Sequence, residues 1–221
     1  MKYALAERFA SINGEGQRAG QMAAFLRFRG CNLHCSYCDT AWACAPDCPA
    51  EELSAGEILD YVKGAGVSLV TVTGGEPLLC AGIAELLGEI SALPGILVDV
   101  ETNGSMPLAP FVEKIPKLSM TMDYKLPSSG MEGQMYLPNL EVLRPCDTLK
   151  FVCGSREDML RGREILAQHP SLAQVPTFFS PVFGAISPAE MVSFLQEFEM
   201  KNVRLQLQLH KMIWPAEQRG V

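Results

Sequence analysis

The 221-residue chain has few charged side chains, and in particular little of the positive charge that nucleic-acid backbones attract. Charged residues make up 19% of it, against about a quarter in an average soluble protein. With 25 acidic and 18 basic residues, the net charge is −7, which argues against a nucleic-acid partner. Apolar residues still reach 48%, which excludes disorder and allows a sizeable core. We take the low charge as a sign that a second copy of the chain covers part of the surface.

The chain also lacks an uninterrupted apolar run of the length that crosses a membrane. Residues 165–189 carry no formal charge, but four prolines and several polar side chains interrupt them. The first ten residues contain Glu7 and Arg8 and no apolar signal core. We therefore expect a cytoplasmic protein with no membrane partner. Cysteines in that compartment seldom form structural disulfides, so the eight cysteines of this chain require another explanation.

Internal repeats, low-complexity tracts and linkers are absent too, so we expect a single domain over residues 1–221. Apolar, β-branched runs alternate with helical patterns, which predicts a parallel sheet that is open or curled into a barrel. The predicted strands are residues 5–12, 22–29, 67–73, 96–101, 118–123, 148–153, 175–180 and 203–209. Two helices have recognisable starts, a capping box at Ser54 and Glu57 and another at Ser187 and Glu190.

Three of the cysteines, Cys31, Cys35 and Cys38, lie in one short loop directly after a predicted strand. Zinc takes four ligands in a closed tetrahedral site, and iron–sulfur clusters also take thiolates. Three thiolates fit three corners of a 4Fe–4S cube and leave the fourth iron open for a substrate. Cys44 and Cys48 follow closely, and either could instead close a four-cysteine zinc or ferredoxin-like site. From the spacing alone, both interpretations stay open.

The cysteine loop and a second motif together resemble those of radical S-adenosylmethionine (SAM) enzymes. The loop has the spacing C-x3-C-x2-C with Tyr37 before its third cysteine, and Gly74-Gly75-Glu76-Pro77 follows at a strand end. Other segments resemble the 7-carboxy-7-deazaguanine synthases within that superfamily. These segments are residues 9–16, 25–30, 38–40, 101–104, 123–125 and 206–214. The resemblance covers nearly the whole chain and implies a partial (β/α) barrel of the radical SAM type, trimmed in helices.

The resemblance also implies an activity. Its members are lyases that convert 6-carboxy-5,6,7,8-tetrahydropterin to 7-carboxy-7-deazaguanine with loss of ammonia, on the route to queuosine and related 7-deazapurines. A 4Fe–4S cluster, SAM and Mg²⁺ are the implied cofactors, and an electron donor such as flavodoxin or ferredoxin and a homodimer are implied as well. Two alternatives remain. One is a glycyl-radical-enzyme activase, which shares the cysteine spacing, and the other is a non-catalytic zinc-binding interaction module.

By the same resemblance, Cys31, Cys35 and Cys38 hold the cluster and Thr40 is a ligand of Mg²⁺. Magnesium prefers oxygen ligands, although a threonine hydroxyl at this position could instead cap the next turn. The paired glycines would let the backbone approach SAM closely, or would serve a tight turn. The implied SAM-binding residues are Tyr37, Cys38, Asp39, Gly74, Gly75, Glu76, Asn103 and Lys125.

The resemblance assigns Arg27 to the substrate carboxylate, which a guanidinium binds through paired charge-assisted hydrogen bonds. Arg29 shares the face of Arg27 if the segment is a strand. The other implied substrate contacts are Ile12, Asn13, Gly14, Thr73 and His210. Many relatives would have glutamine where Asn13 stands, which shortens its reach. Glu15 and Glu76 could anchor nearby amides, and no residue is assigned as an acid or base. Most of these positions lie at the carboxyl ends of predicted strands, where active sites of barrels and open sheets assemble.

Overall fold

The computed structural model describes residues 1–45, 47–115, 117–215 and 218–221, and the strands among them form one sheet. The strands are β1 (Lys2–Ile12), β2 (Met22–Phe28), β3 (Glu51–Ser54), β4 (Leu69–Gly74), β5 (Leu97–Thr102), β6 (Leu118–Tyr124), β7 (Thr148–Cys153), β8 (Thr177–Pro181) and β9 (Val203–Leu205). Their order is β3-β1-β2-β4-β5-β6-β7-β8-β9. Strand β2 and strands β4 to β9 run parallel, whereas β1 and β3 are antiparallel additions at one side. The sheet is not closed, which confirms the predicted α/β fold with a partial barrel.

The helices are four to thirteen residues long. They are α1 (Ala41–Cys44), α2 (Ala55–Gly64), α3 (Ile83–Ser91), α4 (Ala109–Val112), α5 (Arg156–Gln168), α6 (Pro188–Glu197) and α7 (Leu209–Ile213). Both predicted capping boxes are confirmed, because Ser54 and Ser187 each exchange hydrogen bonds with the glutamate three residues later. Across the residues that the structure describes, no helix is both long enough and apolar enough to span a bilayer.

The two faces of the sheet have opposite character, because side chains alternate along each strand. On β4 and β5, Val70, Val72, Val98 and Val100 are fully buried in the hydrophobic core that the helices cover. The alternate positions on the parallel strands are polar: Thr71, Thr73, Asp99, Glu101, Ser119, Thr121, Asp123, Thr148 and Lys150. One face therefore holds the scaffold together, and the other lines the interior of the partial barrel.

The structure differs from the sequence prediction at the two edges of the sheet. Strand β3, which was not predicted, is a short acidic segment that pairs with β1. Strand β9 ends at Leu205, four residues earlier than predicted, because Gln206 turns its side chain toward the loop after β1. Its amide accepts a hydrogen bond from the Gly16 backbone N–H (2.7 Å) and donates one to the Gly16 carbonyl (3.0 Å). His210 therefore lies in α7 and not directly after a strand.

Candidate active site

The carboxyl ends of the parallel strands surround a cavity of about 690 Å³. All but one of the site residues expected from the sequence line this cavity. They are Ile12, Asn13, Gly14, Arg27, Cys31, Cys35, Tyr37, Cys38, Asp39, Thr40, Thr73, Gly74, Gly75, Asn103, Lys125 and His210. Residues from 12 to 210 thus meet at one rim of the sheet, as the predicted parallel order requires.

The exception is Glu76, which is buried beside the cavity and does not line it. Its carboxylate accepts hydrogen bonds from the backbone N–H groups of Leu78 (3.0 Å) and Asn103 (2.7 Å) and from the Thr102 hydroxyl (3.0 Å). Burial raises the pKa of Glu76 to about 7. Glu76 thus fixes the turn that carries Asn103, and its expected cofactor contact stays a prediction.

The three loop cysteines present half-buried thiols to the cavity. The sulfur of Cys31 accepts hydrogen bonds from the Leu33 backbone N–H (3.4 Å) and from the Asn103 amide (3.6 Å). A hydrogen bond with the Cys44 thiol is the main reason that the pKa of Cys31 falls to about 6, and the same contact lowers the pKa of Cys38 to about 6. Thiolate is the form that binds metal, and the lowered pKa values favour thiolates at Cys31 and Cys38.

The paired glycines pack directly against the start of the cysteine loop. A β-carbon on Gly75 would collide with the carbonyl oxygen of Gly30, and one on Gly74 would crowd the carbonyl of Phe28. The Gly75 backbone N–H donates to the Phe28 carbonyl at 3.1 Å, and the Glu76 backbone N–H donates to the Gly30 carbonyl at 2.8 Å. Glycine is thus required here for packing of one motif on the other, and both glycines still line the cavity.

Thr40 occupies the N-cap position of α1, but its side chain makes no capping hydrogen bond. Its hydroxyl instead lies 3.7 Å from the sulfur of Cys38 and lines the cavity. The neighbouring Asp39 forms an ion pair of 2.8 Å with Lys211 of α7. Burial opposes ionisation of Asp39, but Lys211 outweighs it and lowers the pKa of Asp39. The hydroxyl oxygen of Thr40 therefore accepts no capping hydrogen bond and is available to a ligand in the cavity.

Of the two arginines on the segment after Met22, Arg27 lines the cavity. Its Nε donates to Glu7 at 2.7 Å and one Nη donates to the Gly74 carbonyl at 3.5 Å. These partners fix the plane of the guanidinium. Arg29 instead donates to the Cys48 carbonyl at 3.3 Å, on the side of the sheet edge.

The amide of Asn13 is buried at 1% exposure and lines the cavity, yet neither its oxygen nor its nitrogen has a hydrogen-bond partner within the described chain. A buried amide without partners is costly unless a ligand satisfies it. The ring of His210 packs against Gly14, the residue after Asn13. A β-carbon at Gly14 would lie 2.5 Å from the His210 Nδ1. Burial lowers the pKa of His210 and favours its neutral form.

A buried ionic network, which the sequence did not reveal, also lines the cavity. The Nζ of Lys150 lies 2.7 Å from Glu15 and 2.9 Å from Asp123, and the Nζ of Lys125 lies 3.0 Å from Asp123. Burial alone would lower the pKa of Lys150, but Asp123, Glu15 and Glu101 outweigh it and raise the pKa well above its usual value. The available signal was a lone lysine inside an otherwise apolar strand.

Glu101 is the other residue whose role the sequence did not indicate. It lies on β5 among the residues that line the cavity, and the sequence indicates no chemistry for it. Burial raises the pKa of Glu101 to about 7 and outweighs the opposing field of Lys150 and a hydrogen bond from Thr73. The cavity thus contains a carboxyl group that exchanges a proton near neutral pH.

Comparison with known proteins agrees with this arrangement. A family model described as the radical SAM superfamily matches residues 25–123. The 7-carboxy-7-deazaguanine synthase of Clostridium acetobutylicum is 45% identical over the full length of both chains. That of Leptospira interrogans is 34% identical, over 100% of this chain and 99% of its own. The chain belongs to the 7-carboxy-7-deazaguanine synthase family. The crystal structure of QueE from Escherichia coli has the same fold, with a TM-score of 0.72 at 24% identity over 94% of each chain.

Membership in this family of radical SAM enzymes implies a 4Fe–4S cluster and SAM as cofactors, and the residues fit both. The cluster requires thiolates, and the loop supplies three thiols whose sulfurs face one cavity. Two of them have lowered pKa values, and Cys31 accepts hydrogen bonds from N–H donors. SAM carries a carboxylate and an amino group. The cavity is also lined by Lys125, whose ammonium suits a carboxylate, and by the backbone of the paired glycines.

Proposed function

We propose that this protein acts as a 7-carboxy-7-deazaguanine synthase, which converts 6-carboxy-5,6,7,8-tetrahydropterin to 7-carboxy-7-deazaguanine with release of ammonia. The observation that carries the proposal is the full-length identity of 45% to the Clostridium synthase, in a chain whose three loop cysteines and Arg27 line one cavity. The residues proposed for the cofactors, called here the cofactor wall, and those proposed for the substrate, called the substrate wall, therefore line one space.

At the cofactor wall, Cys31, Cys35 and Cys38 would hold the cluster. Together, the cluster and SAM would supply the one-electron cleavage that begins the radical reaction. The chain positions these groups by the packing of Gly75 on Gly30 and by the Asn103 amide at the sulfur of Cys31. The ammonium of Lys125, held by Asp123 at 3.0 Å, would pair with the SAM carboxylate.

At the substrate wall, Arg27 would bind the carboxylate of the pterin, since Glu7 and the Gly74 carbonyl fix its guanidinium and the residue lines the cavity. The unpartnered amide of Asn13 would satisfy one donor and one acceptor on the pterin edge. The Thr40 hydroxyl would be a protein ligand of Mg²⁺, with substrate oxygens and water completing the shell. This assignment is supported by a hydroxyl that lines the cavity and caps no helix.

Glu101 would serve the loss of ammonia, which requires that a proton reach the departing nitrogen. A carboxyl group whose pKa is about 7 is protonated in a useful fraction of molecules at neutral pH, which is the condition for general acid catalysis. The ionic network of Lys150, Glu15 and Asp123 would keep the surrounding charge fixed while Glu101 exchanges its proton.

The proposal also includes a one-electron donor of the flavodoxin or ferredoxin class, a single domain over residues 1–221, a homodimer and a cytoplasmic location. The homodimer rests on the low charge content and on exposed apolar side chains such as Phe183 and Met212. Sedimentation analysis at several protein concentrations tests it. A mass near twice 24.1 kDa is expected, and a monomer at all concentrations would remove this part of the proposal.

The two alternatives gain no support. Full-length similarity to the synthases does not favour a glycyl-radical-enzyme activase. The same full-length similarity does not favour a non-catalytic zinc module. Metal analysis separates the possibilities, because the synthase should contain iron and sulfide whereas the module should contain zinc.

The decisive experiment supplies anaerobically reconstituted protein with SAM, a chemical reductant, Mg²⁺ and carboxytetrahydropterin. We expect 7-carboxy-7-deazaguanine and ammonia in equal amounts, detected by mass spectrometry and an ammonia assay. An Arg27→Gln variant with a full cluster serves as the control and should form little product. Intact cluster, bound SAM and no product from the unaltered chain would reject the proposed function.

A further inference from the structure

The loop of residues 13–21, which joins β1 to β2, brings Asn13 and Gly14 to the cavity. At the base of this loop, the Asn13 backbone N–H donates to the Gln21 carbonyl, and the Asn13 carbonyl accepts from the Gly20 N–H, both at 2.7 Å. These two bonds join the ends of the loop to each other. The residues between them have to be held by other parts of the chain.

Gly16, in the middle of the loop, is held by the side chain of Gln206. Gly16 is buried and has a φ of 72°, in the left-handed region that favours glycine. Its N–H donates to the Gln206 amide oxygen at 2.7 Å, and its carbonyl accepts from the Gln206 amide nitrogen at 3.0 Å. A longer contact of 3.4 Å joins the same carbonyl to the Ala19 N–H. Because buried backbone groups are costly to leave unpaired, the loop cannot move away from Gln206 without a loss of stability.

Gln206 is itself fixed to the sheet. Its backbone N–H donates to the Phe179 carbonyl at 2.9 Å, and its carbonyl accepts from the Ser180 hydroxyl at 2.7 Å, both on β8. The residue is buried and is not among the described residues that line the cavity. Gln206 therefore connects a strand to the loop without entering the space that a ligand would fill.

The residues between Asn13 and Gly16 are held from outside the loop as well. The Gly14 carbonyl accepts from the Leu209 N–H at 3.2 Å, and the Glu15 carboxylate pairs with Lys150 at 2.7 Å. The buried side-chain amide of Asn13, in contrast, has no hydrogen-bond partner within the described chain. The loop thus holds a free amide in one position before a ligand arrives, and such preorganisation lowers the entropic cost of binding.

We propose that Gln206 is a positioning residue for substrate binding, which fixes Gly16 and thereby holds the Asn13 amide where it meets the polar edge of the pterin. Gln206 acts through the loop and does not touch the substrate. The inference rests on the proposed function, because the ligand that the amide binds is the pterin substrate of that function.

The test compares the dissociation constants of carboxytetrahydropterin and SAM, measured by calorimetry on cluster-loaded protein with Mg²⁺ and without reductant. Gln206→Met replaces the amide by an apolar chain of similar length. It should raise the pterin constant about fivefold and change the SAM constant by less than about twofold. The matched control is Gln17→Met, which removes an exposed amide of the same loop that donates to the Asp147 carbonyl at 3.0 Å. It should leave both constants unchanged.

A merely structural role for Gln206 gives a different result. Gln206→Met would then lower Tm and either leave the pterin constant unchanged or raise both constants alike, and either outcome would overturn the proposal. A double variant adds a second check. In an Asn13→Ala background, Gln206→Met should weaken pterin binding by less than about twofold, because the amide that it positions is gone. The full fivefold loss in that background would show that Gln206 does not act through Asn13.

Hydrogen exchange in the unaltered protein covers the case in which Gln206→Met does not fold. The Gly16 amide, followed by NMR, should be protected before pterin is added and should gain less than about twofold in protection when pterin binds. A Gly16 amide that becomes protected only on binding would mean that the ligand, and not Gln206, orders the loop. A failure of the proposed function appears as no product when reductant is supplied. Every readout here is taken without reductant, so the two failures are distinguishable.

Discussion

The residues proposed for the cofactors and those proposed for the substrate differ in how their polar atoms are paired. On one wall, sulfurs are paired with N–H donors, as at Cys31 and Asn103. On the substrate wall, the amide of Asn13 has no hydrogen-bond partner in the described chain. The guanidinium of Arg27 is held by Glu7 through its Nε and has further N–H donors. Satisfied groups hold a site in place, and unsatisfied buried groups indicate where a ligand completes it. Three predictions follow from this distinction.

The first concerns Asn13. The amide of Asn13 has no partner in the described chain, so Asn13→Ala should not lower Tm. It should raise the KM for the pterin about tenfold, which corresponds to ~1.4 kcal/mol of lost hydrogen bonding to the substrate. Asn139→Ala is the matched control. The Asn139 amide bonds the backbone of Leu108, Gly104 and Met106, so its loss should lower Tm and leave KM in the folded enzyme unchanged. A large drop in Tm for Asn13→Ala would show that the amide is structural.

The second concerns Thr40. In Thr40→Val the cluster and SAM binding should survive, because neither depends on this hydroxyl, while Mg²⁺-stimulated turnover should fall at least about tenfold. Thr40→Ser retains an oxygen ligand and should keep most of the stimulation. The measurement is initial rate against Mg²⁺ concentration at saturating pterin. Unchanged magnesium dependence in Thr40→Val would remove Thr40 from the metal site.

The third concerns Glu101 and pH. Its pKa is about 7 in the folded chain against a reference value of 4.5, so the unfolded chain loses this proton first and the folded state loses stability as pH rises from about 4.5 to 7. Glu101→Gln removes the effect. The Tm of Glu101→Gln should therefore rise relative to that of the unaltered protein between pH 5 and pH 8. The rise should match the effect of roughly one proton that the unfolded chain releases and the folded chain keeps. Parallel Tm profiles would contradict the assignment.

At this scale the sequence predicts groups that are close together along the chain. The cysteine loop, the paired glycines and Thr40 follow from spacing and resemblance. The Lys150 network did not, because Glu15 lies 135 residues from Lys150 in the sequence and only the fold brings them together. Glu76 shows the reverse case. Its motif marks the end of a strand in the sequence, but only the structure shows that its carboxylate bonds backbone N–H groups.

At the level of elements, the strand–loop junctions decide whether the cluster loop is held in place. The turn after β4 packs on the residues after β2 with no room for a side chain at Gly75. Gly75→Ala should therefore displace the cysteine loop and lower the iron and sulfide content per chain. Gly88→Ala is the control, because Gly88 lies inside α3 with open space around it. It should keep full iron content and gain about 1 kcal/mol of stability. Full iron content in Gly75→Ala would refute the packing argument.

The elements themselves were largely predictable where local signals are strong. Strands β4 to β8 appear within two residues of the predicted bounds, because fully buried parallel strands are continuous apolar runs bounded by turns. The edges were not predictable in the same way. Strand β3 consists of acidic residues that pair with only one neighbour, and the end of β9 is set by a side-chain contact between Gln206 and Gly16.

At the level of the whole molecule, an open sheet with one apolar and one polar face explains how so short a chain builds a radical SAM site. The helices cover the apolar face, and the polar face needs no helices because it lines the cavity. The account as a whole therefore depends on a cluster that the chain holds at three irons and leaves open at the fourth.

Mössbauer spectroscopy of protein reconstituted anaerobically with ⁵⁷Fe tests this claim most directly. Spectra are recorded with and without SAM, and in the absence of pterin. We expect that one of the four irons changes its isomer shift when SAM binds, while the other three, held by Cys31, Cys35 and Cys38, do not. Four iron sites that are indifferent to SAM would contradict the account, because the fourth iron would then already carry a protein ligand.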